Sequence, residues 1–191
     1  RAHLLVLTPA GEAVLAEVFL RLRQRCPDLF LVLVPRHFER SRDAAKELEA
    51  RGVKFAYRNE VSGNNRPRYA PGELQCLLVN TTGELKFFYE HATVIFVGKS
   101  LTAHGGQNPI EPGALGKAMV FGPNMENFAD VVRSFLAKDG AVQVQDATAL
   151  ETAVAQLLSD APRRAQLGRN AQQVVSENLG AVDRTVEMII K

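Results

Sequence analysis

The sequence predicts an α/β fold, a Rossmann-like doubly wound parallel sheet. Three observations predict it. Short apolar runs rich in Val, Leu, Ile and Phe recur along the chain, segments of helical period separate them, and Gly, Pro and Asn mark the changeovers. The runs do not alternate strictly between apolar and polar residues, as expected of strands buried on both faces.

The elements follow in order. A strand is expected over 3–8 (HLLVLT) and a helix over 11–25, then the strand LFLVLV at 29–34 and a helix over 41–51. A strand at 53–57 precedes the one long polar loop, RNEVSGNNRPRYAPGE at 58–73, whose length marks it as mobile or functional. Strands at 74–79, 93–97 and 118–121 alternate with helices at 83–91 and 109–115. A helix over 127–138 leads to a weaker strand at 141–144. Past Asp146 the pattern is helical throughout: 149–159, 162–178 and 180–191, with Pro162 suited to a first turn and Gly180 to a helix end. The chain therefore reads as a single domain, an α/β core over 1–146 and a helical tail over 147–191.

Composition narrows the function classes. With 46% hydrophobic and 23% charged residues in 191, the chain can bury the core of one domain. A net charge of +2 and the absence of Trp give no case for nucleic acid. Cys26 and Cys76 are too few for a disulfide framework and match no metal-site spacing, so they read as small core residues of a reducing compartment. No run approaches 18 apolar residues and no segment resembles a signal peptide. The chain opens at Arg1 and enters a strand almost at once, which reads as a piece of a longer protein.

In open parallel sheets ligands bind beyond the carboxyl ends of the strands. Four such places carry candidate residues. After 29–34 come Pro35, Arg36 and His37. The Arg36 guanidinium suits a phosphate, and the plain alternative is an ion pair with Glu39 or Glu60. After 74–79 come Thr81, Thr82, Gly83 and Glu84. Thr81 and Glu84 have capping-box spacing, and the same helix start could receive a phosphate or a base edge. After 93–97 come Gly98, Lys99 and Ser100, where Lys99 reads as a solvated charge or an anion contact.

The fourth place is GGQNPIEPGALGKAMVFG at 105–122. Gly105 and Gly106 allow a sharp turn, Asn108 suits an N-cap, Pro109 a first helical position, and Glu111 stands three residues past the cap. Glu111 reads either as a capping-box partner of Asn108 or as an acceptor for both hydroxyls of a ribose.

LVPRHFER (33–40), NTTGELKFFYEHATVIFVGKSL (80–101), GGQNPIEPGALGKAMVFGP (105–123) and NF (127–128) resemble the C-terminal half of 3-deoxy-D-manno-octulosonic acid (Kdo) transferases; TPAGE (8–12) fits weakly. The resemblance runs in order over nearly the whole chain. It implies the donor-binding domain of a GT-B glycosyltransferase that moves Kdo from CMP-Kdo to a lipid A precursor, by metal-independent transfer with inversion. The nucleotide contacts it implies are Pro35, Arg36, Thr82, Gly83, Glu84, Asn108, Pro109, Ile110 and Glu111. Ser100, Gly105, Gly106 and Gln107 are further donor-site candidates. It implies no catalytic residue and no metal ligand here, because the family's general base, a Glu, lies in the N-terminal acceptor domain. It also implies a whole protein associated with the cytoplasmic face of a Gram-negative inner membrane. Four positions depart from the family pattern: Phe38 for Pro, Lys99 for the second Gly of a G-G-S turn, Gln107 for His, and Pro9 for His. These leave two other readings open: a GT-B domain for another nucleotide sugar such as a UDP-sugar, and a non-catalytic relative acting as an interaction module.

Overall fold

The computed structural model describes residues 4–7, 12–35, 40–61, 69–70 and 72–190. Seven strands among these form one sheet, every neighbouring pair parallel, in the order β3-β4-β2-β1-β5-β6-β7. They are β1 (Leu4–Leu7), β2 (Phe30–Leu33), β3 (Phe55–Tyr57), β4 (Cys76–Leu78), β5 (Val94–Val97), β6 (Met119–Phe121) and β7 (Val142–Gln143). Each expected strand is present, and β2 to β7 are one to three residues shorter than expected.

The helices are α1 (Glu12–Arg25), α2 (Ser41–Ala50), α3 (Arg58–Val61), α4 (Leu85–His91), α5 (Ile110–Ala114), α6 (Ala129–Ala137), α7 (Ala147–Ser159) and α8 (Ala161–Ile190). α3 falls within the segment expected to be loop. α7 starts two residues before its expected start because the Asp146 side chain caps it, accepting from the Ala149 N–H at 2.8 Å.

Strand side chains divide between two faces, since successive residues point opposite ways. Val94 and Phe96 join Leu31, Leu33 and Val120 in one core layer; Ile95 and Val97 join Val32, Met119 and Phe121 in the other. The first layer is covered by α1, α2 and α7. In α1, Leu15, Val18, Phe19 and Leu22 supply the i, i+3, i+4, i+7 stripe that a helix needs to pack on a sheet. The second layer is covered by Phe88 and Tyr89 of α4, Phe135 of α6, and Ala171, Val174 and Val175 of α8.

The segment after residue 146 is helical, as expected, and belongs to both layers. α7 contributes Leu150, Val154, Leu157 and Leu158 to the first, while α8 contributes Leu167 to the first and Ala171 onward to the second. α8 crosses the molecule at Gly168, where a methyl group would lie 1.9 Å from the Gly116 carbonyl oxygen. One expectation fails in this region: Gly180 ends no helix, and α8 runs continuously from Ala161 to Ile190. A glycine inside a helix costs only about 1 kcal/mol. No proline follows Gly180 to forbid continuation.

Gly168→Ala should destabilise the domain by about 2–3 kcal/mol or more, because backbone rather than a pliable side chain meets the new methyl. A urea midpoint equal to wild type would show that α8 can lift from the 116 turn without loss.

Candidate functional site: the strand-end rim

A parallel sheet puts all strand exits on one rim. The chain moves from β1 to β2 on one side and returns through the β4–β5 crossover to β5 on the other, so the switch in strand order lies at β1 and β5. The exits of β4, β2, β1 and β5 are successive neighbours on this rim. α4 and α5 both leave the rim over the second core layer and pack side by side. Residues 81–84 lead into α4 and residues 108–111 into α5, so both segments stand on this rim.

At the β4 exit, Thr82 and Gly83 are exposed and Glu84 is partly buried. Gly83 holds φ +82°, and a side chain there would meet nothing within 4 Å. The capping box expected from the Thr81–Glu84 spacing does not form. The residue that caps α4 is Glu84 itself, without a side-chain bond to the helix. The Thr81 hydroxyl donates to Glu84 Oε2, and the Arg58 guanidinium donates to Oε1 from Nη2 at 2.8 Å and Nε at 3.1 Å. The Thr81 hydroxyl foremost, and then Arg58, hold the Glu84 carboxyl below its ordinary range against the opposing effect of its burial.

At the β5 exit, the loop over 98–107 closes on itself through Gln107 N–H to the Gly98 carbonyl at 3.1 Å. Ser100 is fully buried; its hydroxyl donates to the Val97 carbonyl at 2.6 Å and accepts from Gly122 N–H at 2.8 Å. This corrects the expectation that Ser100 is a donor ligand, since its side chain instead joins the β5 and β6 exits. Gly105 and Gly106 take φ +96° and +62° and pack on the β6 exit, where a methyl would lie 2.7 Å from Asn127 Nδ2 and 2.4 Å from Met125 Sδ respectively. Their role is therefore to let two loops touch, and the Gly105 N–H is taken by Glu126 Oε2 at 2.7 Å. Lys99 holds φ +57°, a conformation that glycine adopts without strain.

Glu126 receives a second contact, His104 Nδ1 at 3.0 Å from Oε1. His104 first, and backbone N–H groups after it, lower the Glu126 carboxyl to about 2.

The second expected capping box is also rearranged. Pro109 is the N-cap of α5. Asn108 Oδ1 accepts from Ile110 N–H at 2.9 Å, and Asn108 Nδ2 donates to Glu111 Oε1 at 3.2 Å. Glu111 therefore meets the Asn108 side chain and not its backbone, and it remains exposed, as does Ile110. α4 has seven residues and α5 five, so helix ends add little to anion binding here.

Pro35 is buried at the β2 exit, while Arg36, His37, Phe38 and Pro9 lie outside the described residues. Gln107 is partly buried at the loop neck. Sequence reasoning missed Arg58, His104 and Glu126. Their partners lie 26, 22 and 21 residues away, beyond any local spacing, although the NF pair at 127–128 marked the loop that meets Gly105. Two open grooves lie elsewhere. One of about 480 Å³ is lined by Val142, Leu157 and Arg163, and one of about 520 Å³ runs along the β3 edge by Phe55, Tyr57 and Leu74. Neither is lined by residues 81–84 or 107–111.

A doubly wound parallel sheet covered by helices on both faces is the architecture of one half of a GT-B glycosyltransferase. The chain belongs to the group 1 glycosyl transferases, whose family model matches residues 72–174. The expected similarity to Kdo transferases is borne out. The 3-deoxy-D-manno-octulosonic acid transferase of Bordetella pertussis is 36% identical over 168 residues, covering 87% of this chain and 38% of that protein. The Haemophilus influenzae enzyme of the same name is 36% identical over 166 residues, covering 85% and 37%. The chain thus spans less than two-fifths of these relatives. The C-terminal CMP-Kdo binding domain of WaaA from Acinetobacter baumannii superposes with a TM-score of 0.80 at 25% identity, covering 92% of this chain and 90% of that domain. HepE of Anabaena, in complex with UDP, superposes at 0.68 with 12% identity over 99% of this chain and 49% of that one, which shows the fold alone.

Ser100→Ala should cost about 1–3 kcal/mol in urea unfolding, since it strands the buried Gly122 N–H; an unchanged midpoint would mean that the loop repairs itself. Acid should also loosen this region. A carboxyl lowered on folding stabilises above its unfolded value and loses that contribution as pH falls through its folded value. The contribution of Glu126 should therefore fade from about pH 4.5 toward about 2, and Glu126→Gln should flatten the fall in urea midpoint between about pH 5 and 3. An identical fall in the variant would contradict this.

Proposed function

We propose that this chain is the donor-binding half of an inverting glycosyltransferase that takes Kdo from CMP-Kdo to a lipid A precursor. The observation that carries the reading is that residues 81–84 and 108–111 both lie on the one rim where the parallel strands end, the second segment following β5 at the switch point of the sheet. The WaaA domain that shares this fold is a CMP-Kdo binding domain.

In this reading Glu111 accepts the ribose hydroxyls. One of its oxygens is already met by the Asn108 amide, which fixes the carboxylate without consuming it. Ile110, 39% exposed, offers an apolar surface for the nucleoside to cover. Thr82 and Gly83, with open space around the Gly83 Cα, let a planar group or a phosphate come close to the backbone. Arg36, which follows Pro35 in the sequence, is the residue for the phosphate, because a guanidinium pairs its N–H groups with phosphate oxygens and stabilises the charge that accumulates as CMP departs. The phosphate charge is balanced by protein donors, so the transfer needs no metal. The general base and the acceptor site belong to the other half of the protein, as does its association with the inner membrane. Among the described residues no helix is long and apolar enough to cross a membrane.

Glu111→Ala should weaken CMP binding by about 1–3 kcal/mol in calorimetry, with the melting temperature little changed because the side chain is exposed. Equal CMP affinity in the variant would reduce Glu111 to a partner of the Asn108 amide. In the same assay UDP should bind more weakly than CMP, and the 191-residue chain should bind without transferring Kdo.

A further inference from the structure

We propose that Arg58 is a positioning residue for the donor, holding the Glu84 carboxylate in place on the nucleotide rim. The inference rests on the reading of the rim as the CMP site and adds to it a residue from the opposite, outer edge of the sheet.

Arg58 opens α3, directly after the edge strand β3, and reaches across to the β4 exit. Two of its nitrogens converge on a single Glu84 oxygen, at 2.8 and 3.1 Å, while the Thr81 hydroxyl takes the other. A carboxylate offers about four acceptor positions. Three are filled among the described residues, and the one left is on Oε2. The pair is partly withdrawn from water, with side chains 26% and 30% exposed, so it is screened less than a surface pair. A second bond fastens the same short helix to the same loop: Asn59 N–H donates to Asn80 Oδ1 at 3.2 Å. α3 is thereby tied at two points to the loop that presents Thr82 and Gly83.

The consequence is directional. Left alone, a glutamate beside an exposed glycine would sample several rotamers, and a ligand would have to immobilise it on binding. With the guanidinium fork on Oε1 and the Thr81 hydroxyl on Oε2 the carboxylate is fixed beforehand, so the ligand meets a ready acceptor. Lysine cannot reproduce this, because an ammonium is a point charge and makes no planar fork.

The test is a double-mutant cycle on the 191-residue chain, read as CMP affinity by calorimetry with melting followed in parallel. Arg58→Met should weaken CMP about tenfold. Arg58→Lys should recover part of that loss. Glu84→Gln should weaken CMP by a similar factor, and the double variant should be no weaker than Glu84→Gln alone, because Arg58 acts through that carboxylate. Losses that multiply in the double variant would overturn the proposal, since a merely structural Arg58 contributes independently of Glu84. Unchanged affinity in Glu84→Gln, with the Glu111→Ala loss intact, would overturn it while leaving the site standing. A wild-type chain that does not bind CMP would remove the reading of the rim, and this inference with it. If Arg58→Met does not fold, Arg58→Lys decides: a several-fold loss at an unchanged melting temperature supports the proposal, and wild-type affinity overturns it.

Discussion

Parallel pairing is the constraint on which the rest of this structure depends. A parallel strand pair cannot be joined by a tight turn, so each connection must cross a face of the sheet and bring the chain back to the opposite edge. With every pair parallel, all strands end on one rim. The same requirement buries both faces, which is why Val94–Val97 is apolar at every position and why two core layers are needed. Fold and site are therefore one consequence of strand direction: the helices that cover the sheet are also the devices that return its loops to a common edge.

The loops on that rim are bonded to one another. The 98–107 loop is stitched to the β6 exit by Ser100, Gly105 and Glu126, and glycines at 105 and 106 let the two backbones approach. The β4 exit is stitched to the β3 exit by Arg58 and Asn59. At α4 such cross-loop bonds stand in for a side-chain cap, while the first N–H of α5, that of Ile110, is taken by Asn108 Oδ1. They leave Gly83, Ile110 and Glu111 facing outward on a supported surface. Rigidity beneath and exposure above is what a site for a charged, conformationally mobile donor requires.

The sheet was legible in the sequence because strands buried on both faces appear as unbroken apolar runs, LFLVLV and TVIFV among them. The rim was legible for the same reason: once strand direction is known, the exits follow, and residues 81–84 and 108–111 lie on it. What stayed hidden is non-local. Thr81-x-x-Glu84 has capping spacing, yet the carboxylate turns to an arginine 26 residues earlier. Ser100 looked like a ligand from its place after a strand, and only the neighbouring β6 exit shows its hydroxyl to be occupied. Gly180 misled because glycine at a helix end and glycine within a helix look alike when no proline follows. The helices after 146 showed their period but not their partners. Only the packing places α7 on one core layer and carries α8 from that layer to the other.

The central claim, that the rim holds the cytidine monophosphate portion of the donor, is tested most directly by a crystal structure of the chain with CMP. The ribose hydroxyls should lie on the Glu111 carboxylate, with the nucleotide between Ile110 and Gly83. CMP seated instead in the groove by Val142 and Leu157, or along the β3 edge by Phe55 and Leu74, would contradict it.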